Sequence, residues 1–395
     1  MSWNTTCVGD VCKYTTSGGT PRTSVASYYE PPTVPWLKTK EVNYCRIYQT
    51  ESYISQEGLD NSNAKLIPEN SVIVAMYGQG DTAGRVAINK IPVSTNQACC
   101  NLIIDPEKAD YEFVYYALST LYEKLVSLKN GGAQPNLNAQ IIRSVEIPFP
   151  PLETQHKIAA FLSAYDDLIE NNQKQIKLLE EAAQRLYKEW FVDLRFPGHE
   201  TTPIVDGVPE GWASMAMNDI AEYINGYAFK PSDWGTKGKP IIKIKEMGSG
   251  ITADTPRNRG EGIPAKYIVT AGDILFSWSA TLSAMIWDEE DGLLNQHLFK
   301  VIPHNGISRE FILQSILKAL DEFSNLTTGS TMKHIQRGKL KEVFVNVPDN
   351  VTMRKYESIS EPMREQILTL KKQIILLKEA RDRLLPKLMS GEIEV

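Results

Sequence analysis

One apolar stripe near the middle of the chain constrains the fold more than any other feature. Between residues 151 and 193, apolar side chains recur at alternating spacings of four and three residues, with Glu, Lys, Gln and Asp between them. This pattern predicts a long helix with a coiled-coil seam. After residue 151 neither Pro nor Gly interrupts it, and a helix of this length would reach on the order of 55 to 60 Å. Such a helix cannot bury its stripe alone and needs a partner.

The partner is a second copy of the same pattern. Adding 198 to each residue number maps residues 153–191 onto 351–389 without a gap, and Lys174, Gln175 and Ile176 recur as Lys372, Gln373 and Ile374. A gapless register with shared polar residues indicates an internal repeat. We interpret Asn172 and Arg381, which interrupt the seam, as register-setting residues. The predicted seam consists of Ile158, Leu162, Tyr165, Ile169, Ile176, Leu179, Leu186, Trp190, Met363, Ile367, Leu370, Ile374, Leu377, Leu384 and Leu388.

The repeat extends beyond the helices into two globular regions. Residues 64–78 match 265–279, and Asn96-Gln97 match Asn295-Gln296. Short β-rich runs bounded by Gly, Pro and Asn predict a curved or partly closed antiparallel-rich sheet in each region, with a helix near 111–128 or 308–323 beside it. The predicted class is α+β, with two similar mixed α/β domains in pseudo-twofold symmetry, separated by two long antiparallel coiled-coil helices. The predicted segments are domain 1 (1–150), central helix (151–194), linker (195–211), domain 2 (212–350), distal helix (351–390) and tail (391–395).

Composition narrows the possible functions. No apolar run approaches the roughly 18 to 20 residues that span a membrane, and the first ten residues do not have the pattern of a secretory signal. The five cysteines form no C-x-x-C pair, so we expect a reduced, cytoplasmic protein without a metal site. Because the net charge is −6, any contact with DNA must use local basic patches or rely on a partner protein.

Motifs that carry catalysis are missing from the sequence. There is no phosphate-binding loop, no methyltransferase-type tetrapeptide and no nucleophile in a recognisable context. The glycines at 78, 80 and 84 approach a dinucleotide-binding fingerprint, but their last spacing is wrong and no βαβ unit surrounds them. The chain is therefore expected to be a binding protein, not an enzyme.

The order of several short motifs resembles one family, the DNA-specificity subunits of Type I restriction–modification systems. The resemblance spans essentially the whole chain, and its strength lies in motif order combined with the repeat. The segments that carry it are Ser17-Gly18-Gly19-Thr20-Pro21, Pro35-Trp36-Leu37, residues 147–158 (IPFPPLETQHKI), residues 208–212 (VPEGW), residues 272–277 (GDILFS), residues 294–297 (LNQH) and residues 383–393 (RLLPKLMSGEI).

The second half departs from this family pattern at two places. Asn225-Gly226-Tyr227 replaces the Gly-Gly-Thr-Pro turn, and Pro362 falls within the distal helix. A proline inside a regular helix costs about 3 kcal/mol. We therefore expect the distal helix to kink there or to begin near Glu361.

The resemblance implies a function and a set of partners. Each globular domain would be a target-recognition domain that reads one half of a bipartite sequence in double-stranded DNA, and the helices would set the spacing. Two methyltransferase subunits would dock on this chain and bring S-adenosylmethionine, and restriction subunits driven by ATP and Mg²⁺ would join them. The chain itself would bind no cofactor and carry no catalysis.

Reading bases requires Arg, Lys, Asn or Gln at groove edges, with Ser, Thr and backbone groups on phosphates. Lys38, Lys40, Lys243 and Lys245 stand out because they recur in both halves on what is expected to be a strand; shared phosphate contacts would also explain the recurrence. For Lys333, His334 and Arg337, contact with DNA, contact with a methyltransferase and a purely structural loop remain open. The full set of candidates is Arg22, Lys38, Lys40, Gln79, Arg85, Lys243, Lys245, Arg257, Arg259, Ser277, Trp278, Lys333, His334 and Arg337.

Two other hypotheses fit the same residues. The chain could be a coiled-coil adaptor of the same architecture whose globular domains do not read DNA. It could also be an enzyme whose site has no familiar motif. Loss of a two-part adenine-methylation motif when the gene is removed would separate the specificity subunit from the adaptor.

Overall fold

A computed structural model describes residues 3–129, 136–325 and 337–395. The chain forms two compact units: unit 1 comprises Met1–Glu170 and Ile375–Val395, and unit 2 comprises Asn171–Ile374. Within the described ranges, no helix is both long enough and apolar enough to cross a membrane.

The described residues of unit 1 form three sheets. Its strands are β1 (Thr5–Cys7), β2 (Cys12–Ser17), β3 (Val34–Leu37), β4 (Cys45–Ile47), β5 (Tyr53–Ile54), β6 (Leu66–Ile67), β7 (Val72–Ala75), β8 (Val86–Asn89), β9 (Val93–Thr95), β10 (Cys99–Ile104) and β11 (Glu146–Pro148). Its short helices are α1 (Gln56–Asp60), α2 (Tyr111–Ser119), α3 (Tyr122–Ser127) and α4 (Ala139–Arg143). The sheet orders are β2-β10-β7-β8-β4, β5-β3-β9-β6 and β1-β11.

The largest sheet of unit 1 forms the main core with helix α2. Strands β7, β8 and β10 are buried along their whole length, so their sequences are mainly apolar instead of alternating, with Asn89 and Asn101 as buried exceptions. Phe113 packs on this sheet, and the core also takes in residues of both long helices, including Leu162 and Leu388. Helix α2 begins after Asp110, whose carboxylate accepts a hydrogen bond from the Phe113 amide at 2.9 Å.

A long helix, α5 (Leu152–Tyr187), leads from unit 1 into unit 2 and ends in a π-helical turn, Lys188–Val192. The strands of unit 2 are β12 (Ile204–Val205), β13 (Val208–Pro209), β14 (Ala213–Ala216), β15 (Ala221–Asn225), β16 (Lys239–Ile242), β17 (Arg257–Asn258), β18 (Ile268–Val269), β19 (Ile274–Ser277), β20 (Ser283–Ile286), β21 (Gly292–Leu294), β22 (Leu298–Pro303) and β23 (Phe344–Val347). Its helices are α6 (Met217–Ile220), α7 (Ile244–Ser249) and α8 (Arg309–Asn325), and the distal helix is α9 (Asn350–Ser390).

Among the described residues, three sheets of unit 2 repeat those of unit 1 strand for strand with one exception, and unit 2 also has a hairpin, β12-β13, without a counterpart in unit 1. Their orders are β15-β22-β19-β20, β17-β16-β21-β18 and β14-β23, together with the hairpin β12-β13. Even the parallel pairs correspond, β3 with β9 and β16 with β21. The exception is β4, which extends the large sheet of unit 1 to five strands. The chain is thus α+β with a duplicated mixed domain, as predicted. In the described residues, however, each domain has three separate sheets where the sequence suggested one, and the hairpin β12-β13 precedes the second domain.

The two long helices run antiparallel to each other within each unit. In unit 1 Arg381 bonds to Asp166; in unit 2 the Asn172 amide donates to Gln373 at 3.1 Å, and Trp190 stacks against Tyr356. As residue numbers rise along α5, those of the partners on α9 fall. The structure places every predicted seam residue in a buried or partly buried position.

Helix α9 begins at Asn350 and continues through Pro362, so the expected start near Glu361 is wrong. The reason is a cap. The Asp349 carboxylate accepts hydrogen bonds from the Val351 and Thr352 amides at 2.7 and 3.0 Å. Partial burial of Asp349 opposes its ionisation, but these bonds outweigh it and lower its pKa. The cap fixes the first turn well before the proline.

Candidate nucleic-acid interface

Matched glycine turns organise the two domains at the same point. A Cβ atom on Gly18 would lie 2.1 Å from the Thr95 carbonyl oxygen, and one on Gly226 would lie 2.0 Å from the Asn295 carbonyl oxygen. Only glycine fits such close backbone approaches. Although Asn225-Gly226-Tyr227 lacks the Gly-Gly-Thr-Pro pattern, it keeps the glycine that the contact requires.

In unit 2 the structure brings Arg257 and Arg259 together beside an open groove. Trp234, which is 47% exposed, and Lys237 line the same groove. The Arg257 guanidinium pairs with Glu290 at 2.5 Å and donates to the Gly238 carbonyl at 2.9 Å, so it is held in place. Arg259 is exposed, with Glu261 3.9 Å away. The groove therefore combines an accessible indole with accessible cations.

Lysines at repeat-matched positions lie over indole rings in both domains. The Lys38 ammonium is 5.0 Å from the centre of the Trp36 ring, and the Lys243 ammonium is 5.2 Å from the centre of the Trp234 ring. Each lysine is partly buried, and a cation over an aromatic face is held by electrostatic attraction. The pairing sets the direction in which each ammonium group points.

The expectation that these lysines lie on a strand is wrong. Strand β3 ends at Leu37 and β16 ends at Ile242. Lys40 lies in a 3₁₀ turn and Lys245 in α7. The turn forms because Glu41 accepts the Lys38 amide at 3.0 Å, and Glu246 accepts the Lys243 amide at 3.1 Å. Hydrogen bonds of this kind satisfy the free amides at a helix start.

The other candidates of unit 1 lie on three connections: Gln79 and Arg85 between β7 and β8, Lys40 after β3, and Arg22 between β2 and β3. Arg22 and Gln79 are exposed. Lys40 pairs with Glu51. Arg85 donates to Asn43 at 2.9 Å and pairs with Asp81 at 2.6 Å.

The other candidates of unit 2 differ in accessibility. Ser277 is buried, and its hydroxyl donates to the Thr281 carbonyl at 2.7 Å. The Trp278 indole donates to the Asn225 side chain at 3.1 Å, next to the Gly226 turn. Lys245 is exposed. Lys333 and His334 lie outside the described residues, and Arg337 begins a 3₁₀ segment, Arg337–Glu342.

Sequence reasoning missed Trp234 and Lys237. The signal was present, since residues 232–239 (SDWGTKGK) combine an aromatic residue, glycines and lysines between two strands. That composition is typical of a functional surface loop.

It also missed exposed apolar residues on the long helices, four of which are related in pairs by the repeat. Leu178 and Leu376, and likewise Phe161 and Ile359, are related by the repeat and exposed. Unit 1 carries Phe161 and Leu376; unit 2 carries Leu178 and Ile359. Each unit thus presents the same pair.

Two of the cysteine thiols, Cys99 and Cys100, are buried. Burial raises the pKa of the Cys100 thiol to about 12 and that of Cys99 further, so these cysteines behave as small apolar residues. Among the residues that the structure describes, no group of three His, Cys, Asp or Glu side chains is arranged to hold a metal ion.

A duplicated α+β domain joined to a pair of long antiparallel helices, with exposed cations on its turns, defines a class of protein built from two similar domains. Residues 1–181 and 209–374 match the family model for the Type I restriction modification DNA specificity domain, and the chain belongs to this family. It is a DNA-specificity subunit of the Type I class, and its two domain copies fit a target in two parts.

Relatives support the assignment along the whole chain. The MjaIX specificity subunit of Methanocaldococcus jannaschii is 27% identical, covering 96% of this chain and 90% of its own length. The HindI specificity subunit of Haemophilus influenzae is 23% identical over 71% of this chain and 77% of its own length. The crystal structure of a Type I restriction–modification S subunit from M. genitalium matches 98% of this chain and 96% of its own, with a TM-score of 0.61 at 17% identity, and shares the fold.

Proposed function

We propose that each globular domain reads one half of a bipartite DNA sequence, and that methylation and cleavage reside in partner subunits. The observation that carries this proposal is the duplicated specificity domain. Two similar reading surfaces on one chain suit a target with two separate halves.

The contacts divide into two kinds by their recurrence in the repeat. Lys38 and Lys243 recur at matched positions, each over an indole ring, although the two rings, Trp36 and Trp234, come from different segments. We assign both lysines to phosphates, which are alike in both half-sites. Arg259, Lys237 and Trp234 occur in unit 2 alone and line its groove. We assign them to base edges of the second half-site, with Arg257 as the residue that holds the groove wall.

The long helices perform two tasks in this proposal. They fix the spacing between the half-sites, and they dock two methyltransferase subunits. The second task is supported by the equivalent apolar pairs, Phe161 with Leu376 and Leu178 with Ile359. Two equivalent surfaces suit two copies of one partner. S-adenosylmethionine would enter with the methyltransferases, and ATP and Mg²⁺ with restriction subunits, in the cytoplasm.

The test is a comparison of methylomes from cells with and without this gene. We expect one two-part adenine-methylation motif to disappear when the gene is removed. Arg259→Ala in the intact chain should relax the motif in one half only. An unchanged methylome would overturn the proposal and leave the adaptor, whereas methyl transfer by the isolated chain would place catalysis here.

A further inference from the structure

The edge of the large sheet differs between the two units. In unit 1, β4 pairs in parallel with β8 and covers its outer edge. In unit 2, the counterpart of β8 is β20, which pairs with β19. On its other side no strand of the described residues pairs with it. An open strand edge presents unpaired backbone groups and is a template for another strand.

The open edge borders a groove of about 260 Å³. Residues of β20, α8, α5 and α9 line it, and Met285, Leu313 and Ile367 give it apolar walls. With the repeat offset of 198, α8 corresponds to α2, and residues 364–371 of α9 correspond to 166–173 of α5. These are the elements that surround β4 in unit 1. The groove therefore occupies the place that β4 fills in the other unit.

The charges around β4 show what the groove lacks. Arg46, at the centre of β4, has a side chain that is only 6% exposed. It bonds to Asp167, lies 3.3 Å from Glu112 and lies 3.8 Å from Glu170. The repeat places Glu310 where Glu112 stands. Glu310 is 5% exposed and lines the groove.

Glu310 has no cation in bonding contact among the described residues; it accepts a hydrogen bond from Gln314 at 2.7 Å. Burial raises the pKa of Glu310, whereas the positive charge of nearby Arg364 lowers it by a smaller amount. The Arg364 guanidinium itself is paired with another carboxylate. Arg364 pairs with Glu361, and its Nε atom is buried without a hydrogen bond in the described structure. A buried carboxylate without a cation is costly.

The segment of unit 2 that corresponds to β4 does not fill the groove, because it follows a different path after α7. In unit 1 the chain passes Glu41 and continues into β4. In unit 2, α7 continues to Ser249, and the Ile251 amide then donates to Glu289 at 2.8 Å. The Thr255 hydroxyl donates to the buried Glu246 at 3.3 Å, immediately before β17. These bonds fix the path of the segment between α7 and β17.

We propose that an extended segment of a methyltransferase subunit adds to β20 as a parallel fifth strand and places an Arg or Lys beside Glu310. This inference rests on the proposed function, because it takes the methyltransferase as the partner. The apolar walls and the acidic floor match β4, whose sequence is Cys-Arg-Ile. Strand addition supplies affinity through main-chain hydrogen bonds, and the pocket for the basic side chain supplies specificity.

The first test is amide exchange in the full chain, alone and assembled with the methyltransferase on gapped DNA. The outward amides of β20 should slow by about tenfold or more on assembly. Those of β8 should be slow in both states, since β4 already covers them, and they serve as an internal control. If the complex forms and β20 exchanges as before, the inference is overturned while the proposed function stands. If no complex forms, both fail.

The second test identifies the occupant. A photo-crosslinking residue at position 285 should capture a methyltransferase peptide that carries a basic residue between apolar ones. Capture of this chain's own residues 45–47, from a second copy, would overturn the inference. Glu310→Gln should weaken assembly by about tenfold, and the exposed Glu322→Gln on the same helix should leave it unchanged. Glu310→Gln neutralises a buried charge and should leave the free chain folded. If Glu310 had only a structural role, the variant would not be expected to assemble more weakly.

Discussion

In their described residues, the two halves of this molecule share three sheets, which differ in one short strand, β4. In unit 1, β4 closes the large sheet and brings Arg46 to the acidic groups of α2 and α5. In unit 2, the sheet edge is open beside a buried glutamate. This difference indicates that the two copies of a duplicated domain diverge first in their loops, where a change of backbone path costs little stability. Unit 1 pairs its own buried charges through Arg46, whereas unit 2 leaves a site for a cation from a partner beside Glu310.

A second difference lies at the helix ends. Trp190 and Phe191 of unit 2 correspond by the repeat to Leu388 and Met389 of unit 1, and all four are buried. Phe191 packs against Phe311 at 4.9 Å and Tyr356 at 4.8 Å between ring centres. Unit 2 is therefore closed by an aromatic cluster, whereas unit 1 is closed by aliphatic side chains.

The largest effect should come from Phe191→Ala. Removing a buried aromatic side chain costs about 3 to 5 kcal/mol, and we expect that loss in unit 2. Met389→Ala is the matched variant and should cost unit 1 about 2 to 4 kcal/mol. Amide exchange resolves each unit separately in the same sample. A loss from Phe191→Ala that appeared mainly in unit 1 would contradict the division into two cores.

Arg46→Ala should destabilise unit 1 by about 2 to 3 kcal/mol. Breaking a buried ion pair costs more in general, but Lys90 still pairs with Glu112 at 3.2 Å, and Asp167 is largely exposed. The control in unit 2 is Lys371→Ala, which removes the partly exposed pair with Asp288 and should cost about 1 kcal/mol or less. Denaturant titration followed by amide exchange measures both. Equal costs would show that β4 is not an electrostatic anchor.

These contrasts also mark how far sequence reasoning reaches. The seam from Ile158 to Leu388 and the repeat could be predicted because both follow a fixed period along the chain. The open edge could not, because Arg46 and Glu112 are far apart in sequence and only the folded sheet brings them together. Lys40 and Lys245 were misplaced for a local reason: hydrogen bonds from Glu41 and Glu246 convert an alternating run into a helical turn.

The DNA contacts should separate by kind. Lys38→Ala and Lys243→Ala, as phosphate contacts, should each weaken binding of the assembled complex about equally on all sequences and reduce the salt slope by about one. Arg259→Ala should instead cost about 1 to 3 kcal/mol on the target and relax one position of the second half-site. Affinities measured over a salt series on single-base variants distinguish them. Sequence-specific loss from Lys38→Ala would contradict the assignment to phosphates.

The smallest effect, and the most direct test of the comparison, is the response of Glu310→Gln to pH. Burial raises the pKa of Glu310 above the usual value of 4.5, with Gln314, Arg364, Glu180 and Tyr356 around it. The folded chain therefore holds this proton more tightly than the unfolded chain. Its contribution to stability is complete below pH 4.5 and is lost as the pH rises through the folded-state pKa.

Glu310→Gln should remove that loss. The denaturation midpoint of unit 2 should match the unchanged chain near pH 4 and exceed it increasingly toward pH 8. The matched variant, Glu112→Gln, should act in the opposite direction at neutral pH, because Glu112 is paired with Arg46 and Lys90. The same substitution at equivalent positions would then stabilise one half and destabilise the other. If both variants lose stability at pH 8, Glu310 must already be paired with a cation in the free chain. That result would contradict the proposal that a partner supplies the cation at the open edge.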